Sequence, residues 1–332
     1  MKRFFCLAFC CLLPGFHSFM FPGDIHSAGS PVLTLLFYNT ENFFHPSDDP
    51  VPGDDEFTPE GERHWTFGRY RDKLNGIARI IYAAGEWGAP DITGLCEIEN
   101  RDVLEDLVRH PLLSPSGLMI LHSDGPDPRG IDIGVLYRPD RIRLLSRKRR
   151  PVIIDGKPVN TREIIQVTAL LKSGDTLELF LNHWTSKYGG IAATDEKRMA
   201  IASQLAAVLD SLLTSSPGRL VLVAGDLNDN SASASVQLLT GGRAGGRLEE
   251  IVPSGAEGSY KYQGKWDLID HVFAGGATDK FRFGAEFVHL PVLFEPDEKF
   301  NGIKPFRTYT GFTYNGGYSD HLPVLLRIYR AD

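Results

Sequence analysis

Cysteine is nearly absent where it could matter. Of four cysteines in 332 residues, Cys6, Cys10 and Cys11 lie at the very start, and only Cys96 follows. A mature chain without that start can form neither an intrachain disulfide nor a thiolate metal cluster. Cys96, in Thr93-Gly94-Leu95-Cys96, reads as a small buried core residue instead of a nucleophile. Long apolar runs are missing too: the one at 4–13 is too short to span a bilayer as a helix. Positive charge is not in excess. With 35 Lys and Arg against 42 Asp and Glu, the formal net charge is -7, which excludes a broad basic surface built to grip a long polyanion. Also lacking are a Gly-x-Ser-x-Gly elbow, a Gly-x-x-x-x-Gly-Lys-Ser/Thr phosphate loop and a His-x-x-x-His zinc pattern. No internal repeat, low-complexity tract or domain-separating linker breaks the chain.

What is present begins with a leader. Lys2-Arg3 followed by the apolar 4–13 run predicts a signal peptide over 1–28, cleaved near Ser18 or Ala28, and hence export to the periplasm or beyond. Lipoprotein anchoring through Cys10 or Cys11 is disfavoured by bulky Phe9. The rest, 29–332, is expected to be one domain with no transmembrane segment. The full chain's 42% hydrophobic and 23% charged residues match an ordinary globular composition.

Apolar strands alternate with amphipathic helices along that domain. A strand at 32–38 is followed by an acidic loop at 45–63 carrying Asp48, Asp49, Asp54, Asp55 and Glu56. Those carboxylates lack EF-hand spacing, so the loop reads as solvated. Thr66 caps a helix with the stripe Tyr70, Leu74, Ile77, Ile80 and Ile81. Further strands are expected at 91–96, 133–137, 164–171 and 177–181, and further helices at 103–109 and 195–213. The basic run 147–150 reads as a solvated turn, and 290–294 as a buried strand. The stretch 306–314 is either an aromatic cleft lining or a hairpin packed on the core. The most informative segment is 220–229, Leu-Val-Leu-Val-Ala-Gly-Asp-Leu-Asn-Asp. Five apolar residues form a strand buried on both faces; Asp226 and Asn228 then point to one side, because extended residues two apart do so.

The same grammar of polar residues at the ends of apolar strands recurs at Asn39, Glu97, Asn182-His183, Asp226/Asn228, Asp270-His271 and Asp320-His321. Strand ends of layered sheets meet along one rim, where sites are assembled. Carboxylates with amide oxygens suit a hard divalent cation such as magnesium, with manganese or calcium as alternatives.

In order and type, Asn39, Cys96-Glu97-Ile98-Glu99, Asn182-His183, Gly225-Asp226-Leu227-Asn228-Asp229, Ile269-Asp270-His271 and Ser319-Asp320-His321 resemble the endonuclease/exonuclease/phosphatase superfamily. That group includes pancreatic deoxyribonuclease, the exonuclease III type of repair nuclease, neutral sphingomyelinases and inositol polyphosphate 5-phosphatases. Cys96 departs from it, standing where these enzymes commonly carry Gln. The resemblance implies an α/β fold, a four-layer α-β-β-α sandwich with two mixed sheets. It also implies magnesium-dependent hydrolysis of a phosphoester by in-line water attack, with an exported nuclease as the leading reading. A lipid phosphodiesterase, an inositol polyphosphate phosphatase and a catalytically dead binding protein are the alternatives. Carried over, Glu97 is the main metal ligand, with Asn39 and Asp320. Asp226 and Asn228 orient water and phosphate, and Asp270 or Asp320 holds His321. His183, with Asp132 as a partner, contacts phosphate or protonates the leaving group. Arg129, Arg162, Asn182, Lys187 and Arg307 are phosphate or substrate contacts. The implied partner is a phosphodiester, chiefly nucleic acid, with no stable protein partner.

Overall fold

The computed structural model describes residues 29–49, 53–187, 190–241 and 247–331, so the leader assigned to 1–28 lies outside the described residues. In chain order the sheet strands begin with β1 (Leu33–Phe43), β2 (Ile92–Ile98), β3 (Met119–Leu121) and β4 (Asp132–Tyr137). Next come β5 (Ile142–Arg150), β6 (Ile164–Leu171), β7 (Thr176–His183) and β8 (Leu220–Asp226). The last are β9 (Glu249–Glu250), β10 (Asp270–Gly276), β11 (Phe281–Phe287) and β12 (Val324–Arg330). The helices are α1 (Phe67–Ala84), α2 (Arg101–Arg109), α3 (Ile191–Ser215) and α4 (Ala234–Thr240).

Two six-stranded mixed sheets result, ordered β11-β12-β1-β2-β4-β3 and β9-β10-β8-β7-β6-β5. Each has a central parallel pair, β1 with β2 and β7 with β8, flanked by antiparallel neighbours. Every residue of β8 is buried, and its alternation explains why. Leu220, Leu222 and Ala224 join the core between the sheets, whereas Val221 and Val223 pack with Ile201, Leu205, Leu209 and Val236 of α3 and α4. The helices α1 and α2 cover the other sheet through Ile77, Ile80, Ile81, Val103, Leu104 and Leu107. These are the four layers the resemblance implies. Each fully buried Leu, Ile or Val contributes roughly 1.5–3 kcal/mol. Close approach of the two sheets needs Gly94, where an added Cβ would meet Leu181 at 2.9 Å.

Local expectations met the fold unevenly. Thr66 does cap α1, accepting the Arg69 amide, and Asn100 caps α2 through the amides of Asp102 and Val103. The basic run 147–150 is the end of edge strand β5, not a turn; charged side chains there deter pairing with another chain. The apolar run at 290–294 is a 3-10 turn (Pro291–Leu293), with Leu293 buried but Val292 53% exposed, because proline stops a strand ladder. Helix α3 starts four residues before the expected 195. No helix among the described residues is long and apolar enough to cross a membrane.

Candidate active site

The site is a row before it is a pocket. In the second sheet, Asp226 at the end of β8 lies opposite His183 of β7 on one side and Asp270 of β10 on the other. Register alone therefore sets three titratable residues side by side. Gly225 permits it, since a Cβ there would fall 2.4 Å from the Asn182 carbonyl oxygen.

The first sheet reaches the same rim through irregular backbone. Its β1 ladder slips between Asn39 and Phe43, and β2 slips between Cys96 and Ile98. Glu41, Asn42 and Glu97, all inside these bulges, have φ of 49°, 53° and 60°, and Asn228 has 52°. Left-handed backbone in non-glycine residues costs energy and concentrates at functional sites. Here it turns the Glu97 side chain to the rim, where Oε2 accepts the Asn42 amide at 2.8 Å.

Around Asp226 the contacts close. Its Oδ2 accepts the Asn39 side-chain amide at 3.0 Å, and Oδ1 accepts the Asn228 backbone amide at 3.0 Å. His183 Nε2 and His321 Nε2 stand 3.7 and 3.8 Å from Asp226 Oδ2. His183 Nε2 is also 3.7 Å from Glu97 Oε1. Asp270 Oδ2 binds His321 Nδ1 at 2.7 Å. Asp320 does not take that role: Arg307 donates to its Oδ2, and its Oδ1 lies 4.0 Å from His321 Nε2. Ser319 shapes the turn, donating to the Asn39 carbonyl at 2.7 Å and accepting the His321 amide at 3.0 Å.

The electrostatics divide the two histidines. Burial, then the Arg162 and Arg129 charges, hold His183 well below the ordinary range and so neutral. Burial would lower His321 as well, but Asp270, Asp226 and Asp320 together hold it well above that range. Burial pushes the Asp226 carboxyl up to about 7, with His321 opposing and Asp270 reinforcing. Environments that drive titratable groups apart are how acid and base roles are assigned.

Other expected residues take supporting places. Arg129 donates to the Asn42 side chain at 3.0 Å and comes 3.7 Å from Glu97. Arg162 is buried between Asp127 and the Trp184 carbonyl, both at 2.7 Å. That carbonyl also accepts the Asn228 side chain at 3.1 Å, so Arg162 props the site from behind. Asn182 points away from His183, its Oδ1 accepting the Trp184 indole at 3.1 Å. Lys187 lies 3.3 Å from Asp229, which also pairs with buried Arg198. Asp132 does not pair with His183. Its oxygens accept the Gly125 amide at 2.9 and 3.1 Å, beside His122 at 3.4 Å, and His183 Nδ1 has no hydrogen-bond partner. Cys96 is fully buried and burial pushes its thiol up, as fits a core residue.

Sequence reasoning missed Glu41 and Lys73. Glu41 accepts the Thr308 and Tyr309 amides at 2.7 and 3.2 Å, fastening the aromatic hairpin to the rim. Lys73, 1% exposed, donates to the Glu41 carbonyl at 2.5 Å and to Thr308 Oγ1 at 2.7 Å. A lysine three residues from Tyr70 and four from Ile77 on the apolar stripe of α1 was the available signal.

The donor set fits a hard divalent cation. Glu97 Oε1 accepts no hydrogen bond among the described residues, and Asn39 Oδ1 adds an amide oxygen already turned inward by the Glu41 amide at 2.9 Å. Asp226, Asp270 and His321 also bring ligand atoms within 4.8 Å of one another. Within that trio His321 Nδ1 and Asp270 Oδ2 are already hydrogen-bonded to each other at 2.7 Å.

Solved structures share this fold. The human nocturnin catalytic domain with bound sulfate is 15% identical, with TM-score 0.58, covering 92% of this chain and 96% of that one. Danio rerio TDP2 in complex with single-strand DNA product is 15% identical, TM-score 0.55, covering 89% and 98%. A mannosyl-6-phosphatase from Bacteroides thetaiotaomicron is 15% identical, TM-score 0.57, covering 89% and 99%. No curated protein matches the chain. The endonuclease/exonuclease/phosphatase family matches residues 34–330, and the chain therefore belongs to this family of metal-dependent phosphoester hydrolases.

Proposed function

We propose that this protein is an exported, magnesium-dependent phosphodiesterase that cleaves nucleic acid by in-line attack of water, its single domain (29–332) preceded by a cleaved leader (1–28). Manganese or calcium are the alternative ions. One observation carries the reaction type: Asp226 sits between a neutral histidine and a protonated one.

Glu97, with Asn39 and Asp320, would hold the ion, which when bound neutralises charge developing on the phosphoryl oxygens. The protein's own groups do the rest. Asp226 and Asn228 orient the water, the Asp226 carboxylate accepting a hydrogen bond from it on the side opposite the scissile bond. As the new P–O bond forms and the ester P–O bond breaks, the water proton passes to the Asp226 carboxylate, beside the His321 imidazolium that Asp270 holds in place, and the leaving oxygen takes a proton from solvent. His183, donating from Nε2, steadies a non-bridging phosphoryl oxygen.

Nucleic acid is favoured by aromatic faces at the rim. The Tyr260 ring lies 5.0 Å from the His321 ring, and Tyr262 and Phe312 are 63% and 59% exposed. Such faces stack bases without sequence preference. The structural neighbour carrying single-strand DNA product supports the same reading. A lipid phosphodiester is the second reading. Its support is the exposed apolar group of Val292, Phe300 and Ile303 (53%, 41% and 44%) on and beside the hairpin of Phe294–Pro296 and Ile303–Pro305.

A panel of plasmid, single-stranded DNA, RNA, sphingomyelin, inositol phosphates and a sugar phosphate, each with magnesium and with chelator, tests this. Metal-dependent cleavage of single-stranded nucleic acid is expected. Cleavage of lipid alone overturns the nuclease reading; inertness toward every substrate overturns the enzyme.

A further inference from the structure

The edge strand β5 departs from the charge balance of the rest of the chain. Residues 141–154 hold six Lys or Arg and no Asp or Glu, where the whole chain has 35 against 42. Arg143, Arg147, Lys148 and Arg149 are exposed, and Arg150 is half-buried. Among the described residues only Arg149 of these five forms a salt bridge, with Glu163. Arg150 donates to the uncharged Gln166 side chain at 2.8 Å, and the carboxylate behind it, Glu178, is paired with Arg219. Arg147 donates to the His122 carbonyl at 2.9 Å and to Ser123 Oγ at 2.6 Å. Charge that merely deters pairing at a sheet edge serves with either sign. A strip of one sign is different, since it sets up a field that draws anions.

Strand register places this strip beside the active-site row. Arg149 lies opposite Ile165 of β6, and Ile165 opposite Leu181 of β7, two residues before His183. The end of β5 therefore stands two strand spacings, about 10 Å, from β7 at the same end of the sheet. Arg143 is six residues farther back, roughly 20 Å along the edge. The β5 ladder slips between Leu144 and Ser146, so Arg143 shares a face with Lys148 and Arg150, opposite Leu170, Gln166 and Ile164. Arg147 and Arg149 take the other face. Cations thus flank both sides of a strand whose outer edge is unpaired, since β5 ends the sheet order. A membrane-facing strip intersperses large apolar side chains; on β5 the one exposed hydrophobic is Leu145.

We propose that β5 is a track for the phosphate backbone of a single-stranded nucleic acid, holding the part of the strand that runs beyond the active site. The inference rests on the nuclease reading above. A narrow strip is compatible with the net charge of -7, because its cations are concentrated on one edge. Each phosphate neutralised there releases counterions. That adds affinity which weakens with salt, and which only a strand long enough to reach β5 obtains.

Steady-state kinetics at low salt test it, with a long single-stranded DNA, a trinucleotide and bis-p-nitrophenyl phosphate as substrates. The variant is Arg143→Glu/Lys148→Glu, in which glutamates still guard the edge against pairing. KM for the long strand should rise by about 10-fold and depend less steeply on salt. Its kcat, and both constants for the two short substrates, should not move. Arg143→Ala/Lys148→Ala should raise the same KM by about 3-fold, and serves if the charge reversal does not fold. An unchanged KM on a long strand that the wild type cleaves overturns the track and leaves the nuclease reading standing. An equal rise on the trinucleotide puts the effect in the active site and overturns it too. So does a variant that loses affinity for phosphatidylserine vesicles while its kinetics on DNA stay the same, since the strip then faces a membrane. A wild type that hydrolyses the small ester but neither nucleic acid overturns the nuclease reading, and the track with it.

Discussion

The two sheets bring polar residues to the same rim by different means. In the second sheet, His183, Asp226 and Asp270 stand side by side because three regular strands stay in register up to the rim, β7 and β8 ending there and β10 starting there. In the first, Asn39 and Glu97 arrive beside bulges, with Glu41, Asn42 and Glu97 all at positive φ. One half of the site is a by-product of regular pairing, and the other is held against the backbone's preference. The His183–Asp226–Asp270 row stands on rigid ladder; the Glu97 carboxylate has to be turned out of it. The difference predicts that changes in the second sheet act on chemistry or packing, whereas changes in the first trade stability against activity.

The largest effect is expected from the row itself. Asp226→Ala or His321→Ala should lower turnover by ~100-fold or more, the scale of a lost acid/base or electrostatic group. Circular dichroism should show the fold intact, and near-normal turnover in both variants would break the assignment. Gly225→Ala should destabilise by about 1–3 kcal/mol, because its Cβ must push β7 and β8 apart and cannot be absorbed by a side-chain rotation. Urea unfolding measures this; a loss near zero would mean the row tolerates slack.

For the first sheet, Glu97→Gly and Glu97→Ala should both be inactive but differ in stability. Glycine adopts a φ of 60° freely and alanine does not, so the glycine variant should be the more stable by about 1 kcal/mol. Equal stabilities would show that no strain is held there. The smallest effect is a slope. Burial pushes the Glu99 carboxyl from an ordinary 4.5 up to about 8. A pKa raised on folding favours the folded state fully below the unfolded value, and that contribution is lost as pH rises through the folded one. In chelator, stability should therefore decline between pH 4.5 and 8, and Glu99→Gln should flatten the decline. An unchanged slope in thermal midpoint against pH would locate the titrating group elsewhere.

Legibility in sequence followed locality. The buried run 220–224 with Gly225, Asp226 and Asn228, and the Ser319-Asp320-His321 turn, are readable because chain neighbours fix what they do. Asn182 could have been read better, since adjacent residues on a strand face opposite sides, and one of the Asn182–His183 pair had to turn away from the site. Lys73 was visible as a cation on an apolar stripe, but its partners, Glu41 and Thr308, are 32 and 235 residues away. The bulges left no sequence mark, because Glu and Asn at positive φ are chosen by the neighbouring strand and not by their own propensity.

By itself, the sequence determined the layered α/β architecture, the buried central strands, the family and the set of strand ends that converge. Alternation, capping and the chemistry of each residue are local properties, and they suffice for that much. Tertiary structure alone decided which carboxylate holds His321, giving it to Asp270 across the sheets and Asp320 to Arg307. It also decided that His183 is neutral while His321 is charged, and that Asp54 is buried in a loop that reads as solvated. The physical reason is common to all three: charge, burial and partner depend on what lies within a few ångströms in space, and for these residues that comes from distant parts of the chain.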